Sequence, residues 1–373
     1  MAEYLTNTTD LEKVADAIRA KGGTSDPLVY PDGFVMAIQA IQTGTELKII
    51  VSVTSGATVT AKKGSLSVSG TSVNGTCTLV VPEEGEWTVS ATLGGETSTS
   101  NIVNVTSSYD TSLVFISTIL NDNSWETIRG ISDAGTGENF WSIGDRKAVT
   151  LNGTVGALTL SNYTTYAFII GFNHNSSVEG ANRIHFQLGK TALSGGTDVA
   201  LCDNSYNLIG GGVRMNTSDS NSGGWESSFM RKYICGTSMI SYSNTIIAVI
   251  PEALRTVLKY VTKYTNNTGR LQPGMESATA TTDYFFLLSE YEVFGTFRVA
   301  NVGESKKQAQ YSYYSSGNSK VKYNYNAIGT AVTWWLRSPV ESDSEQFATC
   351  YMSGEVSGDD ARKSYGFAPG FCV

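Results

Sequence analysis

Histidine is almost missing from this chain: only His174 and His185 occur among 373 residues. Their separation does not fit zinc-ligand spacing, and no H-E-x-x-H is present. The nucleophile elbow G-x-S-x-G is also absent. Gly135-Thr136-Gly137 lacks the third glycine of a dinucleotide loop, and the full phosphate-loop pattern does not occur. His174, set between two asparagines after an apolar run, reads as a structural histidine at a strand end rather than a general base. The chain is therefore read as a non-enzyme.

Charge is scarce too, at 16% of residues, against a usual share of about 25%. No run of Lys or Arg marks a membrane-surface patch. With a formal charge of −8, a sequence-blind nucleic-acid binder, which needs a basic surface to displace counterions, is excluded. No apolar stretch reaches the ~18 residues that a membrane span needs. The opening MAEYLTNTTDLEK has neither a basic start nor an apolar core, so no secretory signal is expected. The five cysteines, Cys77, Cys202, Cys235, Cys350 and Cys372, are odd in number, widely spaced and without C-x-x-C. They read as small buried thiols, not as a disulfide framework or zinc site. Cys350 and Cys372 pair only if their strands are neighbours.

What the chain does have is 38 Gly, 19 Tyr, 14 Phe and 6 Trp. Low charge with many aromatics suits a strand-and-loop protein with sizeable cores. Residues 1–44 read as a small helical unit. Thr9 to Glu12 fits a capping box, Leu11, Val14, Ala15 and Ile18 recur at helical spacing, and Val35, Ile38 and Ile41 line a second short helix. Residues 45–106 hold six short β-branched runs separated by Gly, Ser and Asn turns, which predicts a small β-sandwich with Trp87 at its core. Residues 107–373 form the remainder. Helices are expected over 123–131, 224–235 with Trp225, Phe229, Met230 and Tyr233 on one face, and 251–262; strands over 167–172, 183–188, 246–250 and 284–288. No βαβ alternation appears, which excludes a doubly wound nucleotide fold.

The C-terminus is the informative region. Ala331–Pro339 reads AVTWWLRSP and the chain closes with GFAPGFCV. Adjacent tryptophans on a strand point to opposite faces, so either both faces are covered or one ring lies under a loop. These apolar frames bracket Val340–Tyr365, which carries six acidic and two basic residues. Strict alternation over 348–353 puts Ala348, Cys350 and Met352 on one face and Thr349, Tyr351 and Ser353 on the other. A mixed polar surface with Tyr and small residues is how binding loops are composed. An ordinary solvated sheet face is the competing reading.

WWLRSP, the polar tract and GFAPGFCV, together with FWSIGDRKAVTLNG, FIIGFNHN, GGWESSFMRKYI, PEALRTVLKYVTKYTNN and FFLLSEYEVFG, resemble the C-type-lectin-like domains of Firmicutes proteins and their phages. The N-terminal LTNTTDLEKVADAIRAKGGTSDPLVYPDGFVMAIQAI is similar to a helical segment of phage and prophage tail proteins. The resemblance implies a multidomain chain: a small N-terminal helical segment for attachment or oligomerisation (1–44), an immunoglobulin-like β-sandwich (45–106) and a C-terminal α+β C-type-lectin-like fold (107–373). In some relatives the bracketed segment is the variable region of a diversity-generating retroelement, which rewrites the gene's end to diversify a ligand-binding surface. On that likeness the candidate contact residues are Glu341, Asp343, Gln346, Thr349, Tyr351, Ser353, Glu355, Ser357, Asp359, Asp360, Arg362 and Lys363. The calcium motifs of sugar-binding C-type lectins are absent, so Asp359-Asp360 read as turn residues, and no metal or cofactor is expected.

The likeness implies a virion tail component that binds a bacterial cell-surface protein or glycan, with other tail proteins as partners of the N-terminal segment and a homo-oligomer, a trimer by analogy with tail fibres. Two alternatives stay open: a structural virion or adhesin component that binds another protein, and a catalyst like the formylglycine-generating enzymes, which share a related fold and need a cysteine pair.

Overall fold

The computed structural model describes residues 8–22, 27–40, 46–270 and 278–373. Strand content is 38% against 21% helix, so the chain is β-rich. It divides into two compact units, Met1–Ile116 and Ser117–Val373.

The first unit begins with helices α1 (Thr8–Gly22) and α2 (Asp32–Ala40). Ala15, Ile18 and Phe34 pack together as a small core, with Leu11, Leu28 and Ala37 at its margin. Thr9 lies inside α1 rather than ahead of it, so it does not serve as the helix cap. Among the residues of α2 whose burial is described, Phe34 is buried, whereas Val35, Met36 and Ile38 are exposed. The larger aromatic ring claims the contact with α1, which rotates the expected stripe outward. Residue 41 lies outside the described residues.

Eight strands follow: β1 (Lys48–Ser52), β2 (Thr58–Lys63), β3 (Leu66–Thr71), β4 (Thr76–Val80), β5 (Gly85–Leu93), β6 (Glu96–Thr97), β7 (Asn101–Val105) and β8 (Ser108–Ser112). They form one sheet in the order β4-β1-β8 and another in the order β3-β2-β5-β6, with β7 on β5. One core joins the two sheets, and Trp87, fully buried, is its largest side chain. The burial of β5 alternates residue by residue, as a strand with one wet face requires. β8 lies beyond the expected limit at residue 106. It pairs in parallel with β1, so this strand set runs on past that point.

The second unit is built around a five-stranded sheet. After α3 (Trp125–Asp133), capped by the Ser124 hydroxyl accepting from Thr127 N at 3.0 Å, come β9 (Arg146–Val155), β10 (Leu158–Phe172), β11 (Ile184–Lys190) and β12 (Val199–Ala200). Then follow β13 (Val261–Thr265), β14 (Thr279–Asp283), β15 (Phe285–Phe286), β16 (Lys322–Asn324), β17 (Ala327–Val332), β18 (Trp334–Pro339), β19 (Gln346–Cys350), β20 (Val356–Asp360) and β21 (Gly370–Cys372). The main sheet runs β15-β21-β11-β10-β9, so the chain's end is an interior strand, with Phe371 opposite Phe186. Smaller sheets are β12-β16-β17, β13-β14 and β18-β19-β20.

Several expected elements change. Residues 246–250 form a helical turn, not a strand. The helix from Pro251 stops after Arg255, and Val261–Thr265 is the strand β13. The β-branched run from Val261 has a pairing partner in β14, which wins over a weak helical preference. The helix over 224–235 breaks at Ser228 and resumes as a π-helix from Met230 to Gly236. That extra residue per turn re-aims the side chains: Trp225 and Met230 are buried, but Tyr233 is exposed. Among the described residues no helix is long and apolar enough to cross a membrane.

Candidate ligand-binding surface

The C-terminal frame rests on a buried polar network. Both Trp334 and Trp335 are fully buried, so both faces of β18 are covered. Each ring nitrogen is satisfied, Trp334 Nε1 by Lys320 O at 2.9 Å and Trp335 Nε1 by Val213 O at 3.2 Å. Arg337 on the same strand is also wholly buried. Its guanidinium forks onto both oxygens of Glu292, with Nη2 to Oε1 at 2.8 Å, and donates to Leu287 O and Thr265 Oγ1, each at 2.8 Å. Lys263 Nζ joins Glu292 at 2.8 Å and Glu179 at 2.5 Å. Burial by itself would raise the Glu292 carboxyl, but Arg337 and Lys263 hold it well below the usual carboxylate range. Glu179 and Glu304, with less compensation, are pushed up to about 7 by burial.

His174 and His185 belong to this network. His174 stacks on Tyr311 with ring centroids 3.8 Å apart, and His185 Nδ1 lies 3.1 Å from Tyr311 Oη. Burial pushes His174 down to about 3, which keeps the imidazole neutral. His174, Glu179 and Glu292 bring ligand-type atoms within 4.8 Å of one another. Lys263 Nζ bonds both carboxylates of that trio, so an ammonium group supplies the positive charge a metal ion would bring. Cys350 and Cys372 sit in different sheets and all five thiols are free. Burial raises both thiols to about 12.

Two side chains clamp the candidate block to this frame. Buried Asn221 places Nδ2 at 2.7 Å from Asp343 O, 2.8 Å from Gln346 O and 3.2 Å from Val340 O. Asp203 Oδ1 accepts from Ser364 Oγ at 2.8 Å, and Oδ2 from the backbone of Gly212 at 2.5 Å and Val213 at 3.1 Å. The loop after Asp203 thereby lies along the block, with backbone bridges Tyr206–Ser364 and Ile209–Lys363. Neither Asn221 nor Asp203 stood out in the sequence. Each is one polar residue in a polar tract, and nothing local distinguishes a clamp from a solvated turn.

The expected contact residues divide sharply. Tyr351, Ser353 and Glu355 are exposed at the tip between β19 and β20, where Tyr351 N donates to Glu355 O at 2.7 Å. Glu341, Asp343, Gln346, Ser357, Asp359, Asp360, Arg362 and Lys363 are half-buried. Thr349 is a correction: expected outward, it is fully buried, with its hydroxyl 3.3 Å from Ser357 O. Met352, expected inward, is 41% exposed. The alternation fails because β19 lies between β18 and β20 with both of its faces covered, so Phe347 to Cys350 are all buried.

Asp359 is not a free turn residue, because it accepts from Lys363 at 2.8 Å and from Tyr365 Oη at 2.5 Å. Arg362 pairs with Asp219. Burial and a hydrogen bond from Asp219 raise Asp360, whereas Asp219 is lowered through Asp360 and Arg362. Leu208 and Ile209, 61% and 58% exposed, extend the surface and were not expected.

Residues 198–373 match the sequence model of DUF6273, a domain of unknown function. No curated protein matches the chain.

Proposed function

We propose that this chain is a ligand-binding protein of the phage-tail type, whose C-terminal unit is a C-type-lectin-like head displaying the 351–363 tip and the 206–209 loop to a bacterial surface protein or glycan. The observation that carries this reading is an exposed set of apolar and aromatic side chains: Leu208 and Ile209 on the loop that Asp203 ties down, and Tyr351 and Met352 on the tip of the β19–β20 hairpin, whose base Asn221 holds at Asp343 and Gln346. Large apolar groups left in water on a rigid support, with charged neighbours, are what a recognition surface needs. The charged neighbours here, Asp359, Asp360, Arg362 and Lys363, are mutually paired or paired to Asp219, which fixes their positions before a partner arrives.

On this reading the first unit, with a sandwich of immunoglobulin-like architecture, joins the head to the tail. Its helices carry exposed Val14, Val35, Met36 and Ile38, which suits attachment to other tail proteins or self-assembly into an oligomer such as a trimer. Many copies on one particle would add weak contacts through avidity. Retroelement variation of the exposed tip positions would leave the buried Phe347–Cys350 run untouched. A formylglycine-generating type of chemistry fits less well, since the candidate thiols are separately buried and protonated.

The test is a pull-down of host cell-wall and surface-protein fractions with the whole chain and with a Tyr351→Ala, Ile209→Ser variant. Retention should fall about tenfold or more, as for a central hot spot, while the melting temperature stays nearly unchanged. Undiminished retention overturns the proposal.

A further inference from the structure

A second concavity lies beside the loop that borders the candidate block. It is a groove of about 660 Å³, within the ~300–1,000 Å³ range of ligand pockets. Its floor is backbone, because Gly212 backs onto Ala157 so closely that a Cβ would collide with it. Its walls bring together Arg214, Lys232, Phe229 and Tyr233, with the hydroxyls of Ser241 and Ser243. Among the described residues no carboxylate lines it, in a chain whose formal charge is −8.

The two cations differ from most buried cations of this unit, which are paired. Lys232 is exposed, and neither Lys232 nor Arg214 makes an ion pair among the described residues. Arg214 Nη1 donates to Gly210 O at 2.5 Å and Gly211 O at 2.8 Å, which sets the guanidinium 5.1 Å over the Phe229 ring. Its Nε is buried with no hydrogen-bond partner. A buried donor left unsatisfied is costly, so an acceptor entering the groove has a favourable place to bind. Tyr233, 60% exposed, leans on Phe229 with ring centroids 5.1 Å apart, and the π-helix holds it outward. This is a flat, wet aromatic face beside two uncompensated positive charges.

We infer that this groove is a subsite for an anionic sugar, with the apolar face of the ring on Tyr233 and its carboxylate or phosphate at Arg214 and Lys232. The reading rests on the binding role proposed above and names the substrate class of its second contact. The aromatic platform buries the C–H face of a pyranose, the hydroxyls and Asn244 meet its O–H groups, and the cations supply what a neutral-sugar site lacks. One wall is shared with the candidate block, since Gly210 N donates to Arg362 O at 3.0 Å, so a ligand chain can touch both surfaces.

The experiment titrates the whole chain with a galacturonic acid tetramer, its neutral methyl ester and a mannose-6-phosphate-bearing oligosaccharide, read by calorimetry. The variants are Lys232→Gln and Tyr233→Ala, both exposed positions that leave folding intact. We expect one of the two anionic probes to bind, the identity of that probe separating a carboxylate from a phosphate source. The ester should bind at least tenfold more weakly than the acid wherever the acid binds, and each variant should lose at least tenfold in affinity. No binding of either anion at millimolar concentration, equal binding of the ester and the acid, or unchanged affinity in both variants overturns the subsite. Host-fraction binding that survives Lys232→Gln and Tyr233→Ala but is lost in Tyr351→Ala, Ile209→Ser also overturns it while leaving the binding role standing. Anion binding that these variants abolish, with host retention unaffected by Tyr351→Ala, Ile209→Ser, overturns the tip as the recognition surface instead.

Discussion

Strands β5 and β19 have similarly alternating sequences and opposite fates. In β5, Trp87, Val89 and Ala91 are buried while Glu86, Thr88 and Thr92 are exposed. In β19 the residues from Phe347 to Cys350 are all buried, Thr349 with the rest. The β5 strand has water on one side, so its pattern is a direct record of its two faces. The β19 strand has protein on both, and there the polar member of the alternation, Thr349, is a buried side chain hydrogen-bonded to Ser357 O instead of part of a wet surface. Alternation in sequence thus reports polarity, and polarity reports exposure only where the second face is open.

The largest expected effect in that contrast is at the covered face's anchor. Arg337→Met removes the guanidinium that forks onto Glu292 and leaves the buried carboxylate with Lys263 as its remaining ion-pair partner and the Ser289 amide as a backbone donor. The expected cost is about 3–5 kcal/mol, as for half of a buried ion pair, measured by urea unfolding of the C-terminal unit. Next comes the paired test of the two strands. Thr349→Lys should destabilise by more than about 3 kcal/mol, because an unpaired charge enters a sealed site. Thr88→Lys, on the wet face of β5, should stay within about 0.5 kcal/mol of the parent. Equal costs at the two positions would break the comparison. Asn221→Ala, which unties the carbonyls of Val340, Asp343 and Gln346, should cost about 1–3 kcal/mol and raise hydrogen exchange over 340–346 specifically.

A smaller, pH-dependent effect sharpens the same point. Glu304 has an ordinary pKa of 4.5, pushed up to about 7 by burial. A folded-state pKa above the unfolded one contributes stability that is fully present below 4.5 and is lost as pH rises through about 7. Glu304→Gln removes that contribution. The stability of the variant minus that of the parent should therefore climb by roughly 3 kcal/mol between pH 4 and pH 8. His174, pushed down to about 3, acts with the opposite sign in both proteins and cancels from the difference.

The first unit was legible almost strand by strand. Leu47–Val53, Thr58–Lys62 and Glu86–Leu93, expected as strands, correspond to β1, β2 and β5 within a residue at each end. Short pairings closed by Gly and Asn turns depend on neighbours in sequence, and local chemistry describes them well. The covered faces of β18 followed from Trp334-Trp335 as one of two options, and burial of both rings selected it. The helix over 251–262 was misread because Val261–Thr265 pairs with Thr279–Asp283, a partner that periodicity cannot see. In the candidate block the tip residues Tyr351, Ser353 and Glu355 were placed outward, and the structure leaves them exposed. Leu208 and Ile209 were missed because nothing in LCDNSYNLIGG says that it will lie against Arg362 and Lys363.

Short-range rules of propensity, turn chemistry and face polarity were enough to place most strands of the first unit, the buried Trp87 and the apolar frame around residues 340–365. The assignment of Lys263, Glu292 and Arg337 to one sealed network, the burial of Thr349 and the turning out of Tyr233 came from elsewhere. Each depends on a segment tens of residues distant arriving to cover a face or pair a charge, and the free energy of such an encounter is a property of the packed whole, not of any local stretch.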